Sequence, residues 1–235
     1  MKKGAGVEAD RVGGWTGASF TGATGESAPA KVYASGLKRA MDLVLAIPVF
    51  ILVSPLLVLI AVLIKAQDPG SALFKQKRCG ADGKQFECYK FRTMRTDAAE
   101  RLEKLLASDP AAAAEWAQYQ KLRRDPRVTA LGRFLRKSSL DELPQLFNII
   151  KGDMSVIGPR PITSGEIFRY GQNFHFYAAV RPGVIGLWQV NGRNRLTYDQ
   201  RVAMDIEYVK TWTIWSDLKI LAKAVPAVLL ARGAY

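Results

Sequence analysis

Between Leu43 and Ile64 the chain reads LVLAIPVFILVSPLLVLIAVLI, without a charged residue. As a helix rising ~1.5 Å per residue, this run matches a hydrocarbon core of ~30 Å, and it is predicted to meet lipid. It is too long for the core of a secretory signal and lies behind a tail of about forty residues. Lys38 and Arg39 precede it, and Lys65, Lys75, Lys77 and Arg78 follow it. Both flanks therefore favour the cytoplasmic side, which a straight span cannot satisfy. Ser54 and Pro55 sit near the midpoint, where proline removes a backbone donor and clashes with the preceding turn. A helix broken there enters and leaves by one face. An ordinary kinked spanning helix is the alternative, because transmembrane helices tolerate proline.

The pattern changes on either side of this segment. Residues 1–35 are rich in Gly, Ala, Ser and Thr with no apolar period, and are predicted to be a disordered tail. Residues 36–67 form the re-entrant membrane helix, and 68–235 the remaining body. Ala72–Gln76 and Phe86–Phe91 are β-prone runs around Asp82-Gly83, which predicts a hairpin. Asp97 with Glu100 resembles a helix start, with Leu102, Leu105 and Leu106 on one face up to Asp109-Pro110. A further helix is expected over residues 111–124. Thr197 and Gln200 form a capping signature ahead of Val202, Ile206 and Val209. The stretch from Leu218 to Ala231 contains Lys219, Lys223 and Pro226, too charged and short to span, so an interfacial amphipathic helix is predicted. Trp212 and Trp215 suit headgroup depth or the core equally.

Composition narrows the class. With 235 residues, 49% hydrophobic and 10% aromatic, the chain can bury one sizeable core. A net charge of +13 makes it an attractor of anions. No helix-turn-helix or stacking platform is evident, so nucleic acid is not expected as a partner. Cys79, Cys88 and His175 are the only residues of their types. They build no zinc site of known spacing and no disulfide framework, which fits a reducing cytoplasm. His175 lies in an aromatic stretch and is expected to be packed or on the surface.

The candidate chemistry centres on Asp141 and Glu142, which follow the basic approach Arg136-Lys137. Adjacent acids can hold a divalent cation, and the neighbouring cations can receive the phosphates that such an ion bridges. The same charges could keep Asp141 ionised as a nucleophile. A structural alternative stands beside this, because Ser139 and Glu142 have capping-box spacing. Lys90-Phe91-Arg92-Thr93-Met94 alternates at strand period, with both charges on one face. Arginine recurs beside proline in Arg124-Asp125-Pro126-Arg127, Gly158-Pro159-Arg160-Pro161 and Arg181-Pro182-Gly183. Rigid turns presenting guanidinium groups suit phosphate recognition.

The broken apolar segment, KFRTM (90–94), RDPRVT (124–129), SLDELPQ (139–145), the GPRP turn and RPGVIGLWQVNGRN (181–194), in this order, resemble the monotopic phosphoglycosyl transferases of bacterial glycan assembly. Gly186-Leu187-Trp188-Gln189-Val190 and the closing Arg232-Gly233-Ala234-Tyr235 are similar to the small exopolysaccharide-priming subgroup. The chain departs from the common pattern at Ser71-Ala72-Leu73 and at Leu187-Trp188, which bears on the identity of the sugar.

The resemblance implies an α+β fold: a re-entrant membrane helix hairpin and a mainly helical cytosolic catalytic domain, with a small β-hairpin and interfacial amphipathic helices. It implies that Asp141 attacks a UDP-sugar and expels UMP, and that undecaprenyl phosphate then accepts the phosphosugar. Galactose or glucose phosphate is favoured. Glu142, with Asp141, would hold Mg²⁺, and Lys90, Arg92, Arg136, Arg160 and Arg181 would bind substrate phosphates. The implied location is the cytoplasmic face of the bacterial inner membrane, among membrane lipid and downstream glycosyltransferases. A homodimer is a further expectation. The competing reading is a catalytically silent membrane adaptor that binds nucleotide sugar or partner glycosyltransferases, against which the intact Asp141-Glu142 pair argues.

Overall fold

The computed structural model describes residues 36–119, 121–192 and 195–229, with side chains through Ala224. The predicted tail, Asn194, the side chain of Pro226 and the closing Arg232–Tyr235 lie outside the described residues.

The apolar run becomes helix α1 (Gly36–Gln67), which stays helical through both Pro48 and Pro55. The predicted interruption at Ser54-Pro55 is therefore not seen as a non-helical segment. Pro55 has no N–H for the carbonyl of Ile51, four residues back, and the Ser54 hydroxyl donates to that oxygen at 2.8 Å. The vacated acceptor is thus satisfied locally. The middle of α1 touches little, with Leu52 79% exposed, whereas both ends pack on the same globular body. Near the first end, Ala46 joins Cys88, Ile149 and Met154. Near the second, Ile60 and Ile64 join Ala72, Phe91 and Leu135.

The predicted hairpin forms. Strand β1 (Leu73–Cys79) pairs antiparallel with β2 (Gln85–Phe91) in the register Leu73↔Phe91 to Cys79↔Gln85. Its turn places Asp82 and Gly83 at φ 55° and 69°, left-handed values that Asp and Gly accept most readily. Helix α2 (Ala98–Ser108) begins after Asp97, whose carboxylate takes no cap bond and pairs with Arg101 Nε at 2.8 Å. The next helix, α3 (Pro110–Tyr119), starts under Asp109, which accepts from the amides of Ala111 and Ala112 at 2.9 and 3.1 Å. It ends at Tyr119, short of the expected Arg124. Helix α4 (Ala130–Ser138) is capped by Thr129, and α5 (Gln145–Lys151) follows Pro144.

A second sheet escaped the sequence reading. Strand β3 (Ser155–Ile157) runs parallel to β4 (Gly183–Ile185). A Cβ on Gly183 would lie 2.1 Å from the Gly158 amide, so only glycine lets these backbones meet. Around this pair lie α6 (Phe174–Ala178), α7 (Leu187–Asn191), α8 (Tyr198–Thr211) and α9 (Ile214–Leu229). The capping box of Thr197 and Gln200 opens α8 as predicted. Ile157, Phe176, Val180, Tyr208, Val209 and Ile220 form the core beneath them. His175 is buried against Phe176, with Nδ1 2.7 Å from the Gln172 carbonyl, in the packed role expected of it.

A buried polar cluster locks the start of α1 to this core. Lys38 Nζ donates to Asp217 Oδ2 at 2.7 Å and to the Ile157 carbonyl at 3.0 Å. Asp217 also accepts from Tyr208 at 2.9 Å and from Trp212 Nε1 at 3.1 Å. Trp212 is thus tied inward, while Trp215 is 70% exposed. Asp42 accepts from the Ser155 hydroxyl and the Val156 amide at 2.8 and 3.0 Å. Arg39 grips the carbonyls of Ile149 and Ile150 at the end of α5.

Candidate active site

Helix α4 stops because Ser139 takes a left-handed φ of 58°, an uncommon conformation for a residue with a Cβ. The chain then makes a 3-10 turn, Leu140–Glu142, and Pro144 leads it into α5. Asp141 and Glu142 are therefore held on a tight corner between two helices. The capping-box alternative is not realised, since the Ser139 side chain makes no cap bond. Glu142 N bonds instead to the Ser139 carbonyl at 3.2 Å.

Strand β2 brings Lys90 to this corner, with Nζ 2.6 Å from Glu142 Oε1. The GPRP turn brings Arg160, whose Nη2 is 3.7 Å from the same oxygen. Burial works to raise the Glu142 carboxyl, but Lys90 and Arg160 prevail and hold it below the usual carboxylate range. Burial and then the neighbouring Glu142 push Asp141 the other way, against the opposing pull of Lys90 and Arg136. Among the described residues no cation stands within ion-pair distance of Asp141. Arg136 is oriented by a 2.8 Å bond from Nε to the Thr93 hydroxyl. Two adjacent carboxylates of opposite tendency, one saturated by cations and one not, thus share a single corner.

Glu142 opens onto a small cleft lined also by Lys90, Arg160, Arg78, Gln145 and Gln189. Arg78 and Gln145 had no site role in the sequence reading. Arg78 is fixed by its bonds to the Pro161 carbonyl at 3.0 Å and to Gln76 at 2.7 Å. Its place at the end of β1, in phase with Gln76, was the available signal.

Two predicted phosphate ligands lie elsewhere. Arg92 folds back onto the carbonyls of Asp68 and Pro69, where it braces the exit from α1. Arg181 donates to the Gly152 carbonyl at 2.8 Å and lines a separate small cavity with Lys38 and Asp42. The turn at 124–127 is likewise structural, since Arg127 forms a forked pair with Asp125 and lies 4.8 Å over the Trp116 ring. Arginine beside proline marks a fixed guanidinium, and only Arg160 of the three turns faces the acids.

Among the described residues no group of three or more His, Cys, Asp or Glu side chains could hold a metal. Asp141 and Glu142 are adjacent carboxylates on the corner, and of the two it is Glu142 that lines the cleft. That donor set fits Mg²⁺, which commonly takes one or two carboxylates and completes its shell with water and substrate phosphate. The upward push of Glu142 on Asp141 is the repulsion that such an ion relieves.

The family described as bacterial sugar transferase matches residues 33–231. An undecaprenyl-phosphate galactose phosphotransferase of Salmonella typhimurium is 51% identical over 199 residues, 85% of this chain and 42% of the relative. An exopolysaccharide production protein, ExoY, of Sinorhizobium fredii is 48% identical over 84% of this chain and 88% of the relative. A UDP-glucose:undecaprenyl-phosphate glucose-1-phosphate transferase of Caulobacter vibrioides is 42% identical over 84% and 72%. The chain thus spans less than half the length of some relatives and most of others.

Proposed function

The chain belongs to the bacterial sugar transferase family, and from that premise we propose that it transfers a hexose 1-phosphate from a UDP-sugar to undecaprenyl phosphate. The hexose is galactose or glucose, UMP is released, and the step primes exopolysaccharide synthesis. A carboxylate oxygen of Asp141 forms a bond to the β-phosphorus, and the bond from that phosphorus to the oxygen bridging it to the α-phosphorus breaks. UMP leaves with that oxygen, and an aspartyl phosphosugar remains. A phosphate oxygen of undecaprenyl phosphate then attacks the same phosphorus, and the acyl phosphate bond breaks to restore the Asp141 carboxylate.

Several features support these roles. The raised basicity of Asp141 makes its ionised form a stronger nucleophile. Lys90, Arg160 and Arg78 supply positive charge where diphosphate must lie. Glu142 with Asp141 would hold Mg²⁺, which supplies positive charge that offsets the phosphates.

The observation that carries the reading is the position of Leu140. It immediately precedes Asp141 and packs against the cluster that includes Ile60 and Ile64 of the apolar helix. A lipid phosphate whose tail lies beside α1 therefore has its head near the nucleophile. Both ends of α1 pack on one body, which supports a helix that enters and leaves by the same membrane face. The catalytic body then stays on the cytoplasmic side of the inner membrane, where downstream glycosyltransferases would receive the lipid-linked sugar.

The test is UMP release from a panel of UDP-sugars by detergent-solubilised protein with undecaprenyl phosphate and Mg²⁺. Asp141→Asn is expected to lower turnover by about a thousandfold or more, as loss of a covalent nucleophile does, and to abolish the phosphosugar adduct seen by mass spectrometry. Equal UMP release by wild type and variant would refute the assignment.

A further inference from the structure

We propose that Gln145 reads the sugar: its side-chain amide hydrogen-bonds a hydroxyl of the hexose on the nucleotide-sugar donor. The inference rests on the transferase reading of the cleft above and names a residue that sets its specificity.

Helix α5 carries two buried amides one turn apart on the same face, Gln145 and Asn148. Asn148 is fully used by the scaffold. Its Oδ1 accepts from the Tyr89 amide at 3.0 Å, and its Nδ2 donates to the Glu87 carbonyl at 2.7 Å and to Asp153 at 3.2 Å. Gln145 is only 3% exposed, yet among the described residues its amide has no hydrogen-bond partner, and it lines the cleft beside Glu142. The neighbouring strand can satisfy an amide on this helix face, as Asn148 shows. Neither polar atom of that amide is among the fully buried unpaired atoms, so the amide end reaches the cleft that the residue lines.

The chemistry of the lining selects the ligand group. Arg78, Lys90 and Arg160 already provide cations for phosphate oxygens, which only accept hydrogen bonds. The Cys88 thiol is kept neutral by burial, and Gln189 spends its Oε1 on the Gly186 amide at 2.7 Å. Gln145 alone among these offers both an amide donor and a carbonyl acceptor without a partner. A hydroxyl, which donates and accepts, complements both ends of that amide. Such a contact rejects an analogue lacking the hydroxyl, because the amide is then left unpaired again.

The experiment uses the full chain in detergent with undecaprenyl phosphate and Mg²⁺. It follows UMP release from the preferred UDP-hexose and from its singly deoxygenated analogues. Wild type is expected to lose about 10- to 100-fold in kcat/KM with one particular analogue. Gln145→Met, close in volume but without the amide, should lose a similar factor on the parent hexose. It should then treat that analogue and the parent alike, within about threefold. Its thermal midpoint should stay close to that of wild type, since the side-chain volume is kept and the amide makes no bond to the scaffold among the described residues. Gln145→Asn, which retains the amide at shorter reach, should recover part of the discrimination.

A Gln145→Met protein that keeps the wild-type discrimination, or that slows every donor and analogue equally, overturns the proposal while leaving the transferase reading intact. So does a lowered thermal midpoint with unchanged kinetics, which marks a packing role. Wild type releasing UMP from no UDP-sugar overturns both.

Discussion

The protein contains two clusters of paired acids, and they are built from the same residue types to opposite ends. At the start of α1, Asp42 and Asp217 are buried around Lys38 and take hydrogen bonds from Ser155, Val156, Tyr208 and Trp212. Among the described residues Asp42 Oδ2 has no partner. At the corner after α4, Lys90 and Arg160 address Glu142, while Asp141 makes no ion pair among the described residues. The first cluster is held by donors of the scaffold. In the second, Glu142 is paired with cations that line a cleft and that phosphate oxygens can also engage.

The largest effect that would break this contrast is at Lys38. Lys38→Met strips the ammonium from two buried carboxylates and is expected to cost about 3–5 kcal/mol, read as a lower denaturation midpoint. A stable variant would show that the first cluster is not saturated. At the second cluster, Arg160→Ala should raise KM for the nucleotide sugar about 10- to 100-fold, the range for a charge-assisted hydrogen bond, with the thermal midpoint little changed.

Asp205 is an intermediate case, since one oxygen accepts from Tyr170 at 2.7 Å and the other has no partner among the described residues. Burial pushes its carboxyl up to about 7, against the smaller opposing effect of the Tyr170 bond. Between the unfolded carboxylate value and that point the native state holds a proton that the unfolded chain has lost. Wild-type stability should therefore fall as pH rises through this window, by about 1.4 kcal/mol per unit. Asp205→Asn should flatten that slope in denaturation measured from pH 5 to 8. The smallest effect is expected at Arg92. Arg92→Ala should cost about 1 kcal/mol through its lost carbonyl bonds and leave KM within about threefold. A tenfold rise in KM would return it to the phosphate site.

What the sequence disclosed follows the range of the interactions. The hairpin was legible because Asp82-Gly83 dictates its own turn, and the start of α8 because Thr197 and Gln200 are three residues apart. The acids were legible as charges, and so was Lys90, which the fold brings onto Glu142. The parallel pairing of Ser155 with Gly183 was not, because three-residue strands leave no period to detect. Nor could the sequence separate Arg160 from Arg92 and Arg181, since composition records a charge and not the carbonyl that absorbs it. Gln145 closes the SLDELPQ run without a visible role, because an amide becomes informative only once the side chains around it are in place.

The lock at Lys38 also sets an order of events during synthesis. Its partner Asp217 lies 179 residues further along the chain. At ribosomal rates of about 5–20 residues per second, α1 waits roughly 10–40 s for the contact that fixes its first end. Through that interval its apolar middle has no protein surface to cover it, and lipid is the available shelter. The bilayer then acts as the helix's first chaperone, and a nascent chain released away from a membrane would meet its neighbours before it met its own C-terminal helix.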